Sequence, residues 1–231
     1  MKLMTHVIPY RIYSGFRIGI LCIVVSILPA MVFSWEPTPF EIQDTAKNGL
    51  PGFIRSLPEG QVKSYGFSTK SEAARTTLDG GIRVYTIKPH VLYSYKKGMD
   101  VTRMITPTNM WIFPVLEGGR SKSLLTVDRM HGKWEAVAFG GSGLASQLEE
   151  VELKWPSSKG YELTFVRVFQ AKSDVVFIAK GKTVMIAPLE SAVVGLQLHA
   201  NAGRYGDEVY DPYEILPKMI PVVRRNLQAQ E

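Results

Sequence analysis

Residues 110–139 read MWIFPVLEGGRSKSLLTVDRMHGKWEAVAF, and their pattern decides the fold. Met110 to Leu116 is a run of branched and aromatic residues that fits a pleated strand, and Glu117-Gly118-Gly119 then turns the chain. Ser123 to Asp128 is a second strand, His131-Gly132-Lys133 a second turn, and Trp134 to Phe139 a third strand. Three strands joined by two short glycine turns predict an antiparallel meander.

Outward from that centre, the upstream segment changes period. Pro39 to Leu57 carries Phe40, Ala46, Leu50, Phe53, Ile54 and Leu57 at near-helical spacing, with Thr38 as the expected N-cap. Gly49 and Pro51 predict a kink or an early end to that helix. A second short helix is expected over Ser71 to Leu78, capped by Ser71, followed over 82–87 and Val91 to Tyr95 by two short strands or one bent one.

Downstream, Gly140-Gly141-Ser142-Gly143 leads into a helix whose Leu144, Leu148 and Val151 share one face. Tyr161 to Phe169, Val175 to Ala179 and Thr183 to Ala187 form a further strand series. The tail from Asp211 to Leu227 contains Pro212, Pro217 and Pro221, which predicts short helical turns rather than one helix. Strands in series with helices at the ends and no alternating βαβ units predict an α+β domain. Its expected form is a mainly antiparallel curved sheet with an N-terminal helix packed on it and short helices at the C-terminal end. That order is similar in outline to cystatin-like folds, a likeness of layout that carries no function.

The first 34 residues carry an address. Lys2, Arg11 and Arg17 are the only charged residues before Glu36, and an uncharged run from Ile18 to Trp35 follows them. A basic n-region, an apolar h-region and Val32 and Ser34 at the two small-residue positions predict a signal peptide cleaved after Ser34. The alternative is an uncleaved inner-membrane anchor, because the run nearly reaches the roughly 20 residues that span a bilayer. Either way residues 35–231 form one domain outside the cytoplasm, periplasmic or secreted. Cys22 follows Gly19-Ile20-Leu21 and lies inside the apolar run, which speaks against a lipoprotein site. As the single cysteine of the 231 residues it leaves the exported part without thiols, as suits an oxidising compartment.

The chain has 27 basic and 21 acidic residues, for a net charge of +6, but the leader holds three of the basic ones. The exported part is therefore +3, its basic residues scattered along the sequence, and no nucleic-acid partner is expected. No Cys-x-x-Cys or histidine pair at ligand spacing occurs, so neither a metal nor a cofactor is expected.

Candidate sites are local. Gly141, Ser142 and Gly143 stand between a strand and a helix, where backbone N–H groups could hold an anion. The phosphate-loop lysine is missing, and Leu144 replaces the second glycine of a nucleophile elbow. A flexible turn with Ser142 as helix cap is the plainer reading. An envelope serine hydrolase would need Ser142 with His199 and Asp211 brought together by the fold. Glu149, Glu150 and Glu152 could pair as carboxylates but read more simply as a solvated helix face. Trp111 and Phe113 fall on one side of their strand with Trp134 nearby, which predicts an aromatic shelf for a sugar, lipid or peptide. The leading functional expectation is a non-enzymatic module of the cell envelope that binds a partner protein or small ligand. The serine hydrolase and a structural subunit of an envelope assembly are the alternatives. Contact with the membrane is expected only through an uncleaved N-terminal segment.

Overall fold

The structure, a computed structural model, describes residues 38–198 and 208–229. The leader expected over residues 1–34 and the candidate His199 lie outside the described residues. Among the described residues eight strands form one sheet: β1 (Thr77–Leu78), β2 (Ile82–Ile87), β3 (Ile105–Glu117), β4 (Arg120–Met130), β5 (Lys133–Gly140), β6 (Glu162–Val168), β7 (Ser173–Lys180) and β8 (Thr183–Pro188). Their order is β5-β4-β3-β2-β6-β7-β8, with β1 paired to β3. All neighbours are antiparallel except β2 and β6, which meet in parallel at Tyr85 and Val166. The fold is α+β, and the meander is β3-β4-β5, with Phe113 opposite Leu125 and Leu125 opposite Phe139.

Pro114 stands inside β3, where a proline would normally break the ladder. Here β3 changes neighbour: Ile112 pairs with Ile82 of β2, and Val115 with Leu78 of β1. The turn between those strands faces Pro114, whose carbonyl accepts the Asp79 N–H at 2.9 Å.

Neighbouring residues of a strand point to opposite faces, which sorts the cores. On one face α4 (Ser142–Lys154) packs Ala145, Leu148 and Val151 against Ile112, Leu124 and Phe165. On the other face α1 (Phe40–Ser56) covers the β5 end, over Trp111, Phe113, Leu125 and Val127. The β8 end of that second face is covered by α3 (Pro89–Tyr93), α5 (Glu190–Gly195) and α6 (Pro212–Gln228), over Val166, Phe177 and Ile186.

Several local expectations are corrected. Pro51 does not end α1, which runs through to Ser56 with Ile42, Ala46 and Leu50 buried as one stripe. Gly49 lets that helix approach β5, since a Cβ there would stand 2.4 Å from Ala136 Cβ. Thr38 is not its cap: the Thr38 hydroxyl accepts the Gly81 N–H at 2.9 Å, tying the chain entry to the β1–β2 turn. The second helix, α2 (Lys70–Ala73), is shorter than expected and capped by Thr69, whose Oγ1 accepts the Glu72 N–H. The β-branched Thr77 and its neighbour Leu78 leave that helix for β1. Val91 to Tyr93 is helical, because Pro89 at the first position presets helical φ and Leu92 finds a buried site.

The tail is one helix, not a series of turns. Pro217 and Pro221 each remove an N–H, but four residues apart they fall on one stripe with exposed Tyr213, where water can satisfy the freed carbonyls. Ile215, Leu216, Met219 and Val223, all buried, hold the opposite stripe on the sheet. Among the described residues no helix is long and apolar enough to cross a membrane.

Candidate functional site

The residues expected to form an aromatic shelf are mostly core. Trp111 is 2% exposed and Phe113 is fully buried, because α1 and the 3-10 turn Glu59–Tyr65 cover that face of β3. Trp134 is half-buried against the same core, with the Arg129 guanidinium 6.0 Å from its ring centre. Trp111 and Phe113 belong to the interior under α1, and Trp134 packs at its edge.

The glycine turn does hold a helix N-terminus, with a carboxylate of the protein beside it. Gly141 takes the N-cap in the left-handed region at φ 72°, a conformation glycine adopts without strain. Ser142 is not the cap; it is the first helical residue, and its hydroxyl donates to the Ser64 carbonyl at 3.3 Å. A Cβ added at Gly143 would stand 3.8 Å from Glu190 Oε2, so the carboxylate beside the first turn is the protein's own. Gln147 anchors it, donating to Glu190 Oε2 at 3.3 Å and accepting the Glu190 N–H at 2.8 Å.

Asp211 caps α6, where its Oδ1 accepts the Tyr213 N–H at 2.8 Å. It lines a cleft with Thr183 and Val184 of β8, while Ser142 follows β5 at the other end of the strand order. The described fold therefore does not bring Asp211 to Ser142.

A different cleft, of about 370 Å³, opens between α4 and the β3–β4 hairpin. Ile82, Pro114, Leu116 and Leu148 supply apolar walls, and Leu153, 70% exposed, forms a lip. Asp79, Glu149 and Glu152 bring three carboxyls to the same cleft. The switch of partner opposite Pro114 is what places Asp79 there, and α4 places Glu149 and Glu152 three residues apart on one side.

The carboxyls are not equivalent. Glu149 is engaged: Arg120 Nε donates to both its oxygens at 3.1 Å, and the Ser121 N–H donates at 3.2 Å. Asp79 accepts the N–H of its own neighbour Gly80 at 2.8 Å. Glu152 has no hydrogen bond or ion pair among the described residues. Burial of part of its surface, then the charges of Asp79 and Glu149, raise its carboxyl above the ordinary value. Ser121, also lining the cleft, keeps its hydroxyl oxygen buried without a hydrogen-bond partner. Among the described residues no group of three His, Cys, Asp or Glu side chains is close enough to hold a metal ion.

The cleft therefore sets three carboxyls beside an apolar surface, with Arg120 paired to one of them. Sequence reasoning saw Glu149 and Glu152 as a solvated face and missed the cleft. Its walls come from three separate segments, 79–82, 114–121 and 145–156, and no local spacing marks them. No family model, curated protein or solved structure matches the chain.

Proposed function

We propose that the chain is an exported cell-envelope module that binds, without turning over, a small ligand or a partner's side chain bearing a positive charge on an apolar stem. The observation that carries the reading is Glu152, a carboxyl with no cationic partner beside apolar Leu148 and Leu153. An incoming ammonium would neutralise it, while Ile82, Pro114 and Leu116 take the stem. The leader expected over residues 1–34 supports the envelope location.

The test is a thermal-shift titration of the full chain with alkylammonium ions from butyl to decyl, and with alkyl carboxylates of matched length as controls. The ammonium series stabilises the fold increasingly with chain length, the carboxylates do not, and Glu152→Gln weakens the effect. Equal shifts from both series, or none from either, would overturn the reading.

A further inference from the structure

Positive charge is concentrated on the surface built by α3 and α6. Helix α4, carrying the acidic cleft, lies over Ile112 and Phe165, whereas α3 and α6 lie over Val166 and Phe177 on the opposite face. The two segments that build this second surface, 88–103 and 211–228, hold seven basic residues against three acidic ones. That net +4 exceeds the +3 of the whole exported part, so the remainder of the domain is slightly negative. The sequence hides the concentration because the two segments lie more than a hundred residues apart.

The acidic residues of this surface are largely engaged locally. Asp100 pairs with Arg103 at 3.2 Å, and Asp211 caps α6. Lys96, Lys97, Lys218, Arg224 and Arg225 are exposed and have no ion pair among the described residues. Two of them bracket exposed aromatic rings: Lys97 Nζ is 4.8 Å from the centre of Tyr213, and Arg224 Cζ is 5.8 Å from that of Tyr93. Tyr93 is 40% exposed, Met99 43% and Tyr213 47%.

We infer that the α3–α6 face docks on an anionic lipid bilayer, with Lys96, Lys97, Lys218 and Arg224 against the headgroups and Tyr93 and Tyr213 at the interface. Basic groups spread over the loop after α3 and the 17-residue α6 match a surface of distributed negative charge. Juxtaposed basic groups are drawn to such a surface within a Debye length. Tyrosine, with an apolar ring and a polar tip, suits the same boundary, and an exposed methionine adds apolar contact. This contact is separate from any insertion of the N-terminal segment and does not depend on the cleft.

The experiment places the full chain in lipid nanodiscs of phosphatidylcholine alone and of an equal mixture with phosphatidylglycerol. Lysine acetylation by a water-soluble reagent is then read peptide by peptide in each. In the anionic discs Lys96, Lys97 and Lys218 are modified roughly fivefold more slowly than in the neutral ones. Lys133 and Lys159 serve as unchanged controls. The K97E/R224E double variant, altered only at exposed positions, loses the protection, and so does the native chain at high salt. Equal rates in the two kinds of disc overturn the inference. Protection by soluble dextran sulfate with none in anionic discs also overturns it, assigning the face to an anionic polymer.

Discussion

Arg120 Nε stands 3.1 Å from both carboxylate oxygens of Glu149, tying the tip of the β3–β4 hairpin to α4 beside the acidic cleft. The pair is a gate on charge more than a brace. Arg120 is two-thirds exposed, and an ion pair of that kind contributes at most about 1 kcal/mol to stability. Its guanidinium nevertheless occupies a carboxylate that a cationic ligand would compete for. Arg120→Ala is expected to lower the melting temperature by only a few degrees while strengthening binding of decylammonium several-fold. Glu149→Gln is expected to weaken the same binding. Calorimetric titration of both variants checks the opposition, and parallel changes would refute it.

The parts of this fold legible in sequence are those held by local pattern. The meander was readable because Met110 to Phe139 alternates apolar runs with Glu117-Gly118-Gly119 and His131-Gly132-Lys133, and both turns form where expected. Helix α4 was readable from Leu144, Leu148 and Val151. Tertiary context overrode local rules elsewhere. Pro51, Pro217 and Pro221 sit inside helices because the buried stripes opposite them outweigh the lost N–H bonds. The aromatic residues were legible as strand formers, but not as core: which face α1 covers depends on Gly49 meeting Ala136, some 87 residues away in the chain. The cleft and the basic face were illegible for the same reason, each being assembled from distant segments.

Trp111, Phe113 and Trp134 separate a core role from a binding one. Phe113 is fully buried beneath α1, and its loss leaves a cavity that the sheet cannot collapse around. Phe113→Ala and Trp111→Ala are each expected to cost about 3–5 kcal/mol in urea unfolding. Half-buried Trp134→Ala should cost clearly less. A small loss at Trp111 and Phe113 would contradict their placement in the core.

The acid side of the stability curve carries two opposed contributions. Glu72 accepts the Ser68 N–H at 2.6 Å, and that hydrogen bond, with the nearby Lys122 ammonium at 3.4 Å, lowers its carboxyl from the ordinary 4.5. Its contribution is present above pH 4.5 and is lost as the pH falls through the lowered value. Glu152 is raised, so the fold favours its protonated form, and stability is lost as the pH rises from 4.5 through the raised value. Glu72→Gln should therefore flatten the fall in melting temperature below pH 4.5. Glu152→Gln should instead flatten a decline above it. Melting temperatures measured across the acid range in both variants test the two signs independently.

Tyr210 sets the corresponding limit at high pH. Its backbone bridges Ile186 on the edge strand β8, and its hydroxyl donates to Glu208 Oε2 at 2.6 Å. That hydrogen bond, with burial and the negative charges of Glu208 and Glu214, pushes the phenol up to about 12 from the ordinary 10.0. Between those values the unfolded chain releases the proton and the folded chain keeps it, so stability falls as the pH rises through the window. Tyr210→Phe removes the proton in question, and its unfolding free energy should decline less steeply than that of the native chain between pH 10.0 and about 12. Because the backbone bridge to Ile186 survives the substitution, an identical slope in both proteins would mean that the Glu208 contact does not hold the phenol in solution.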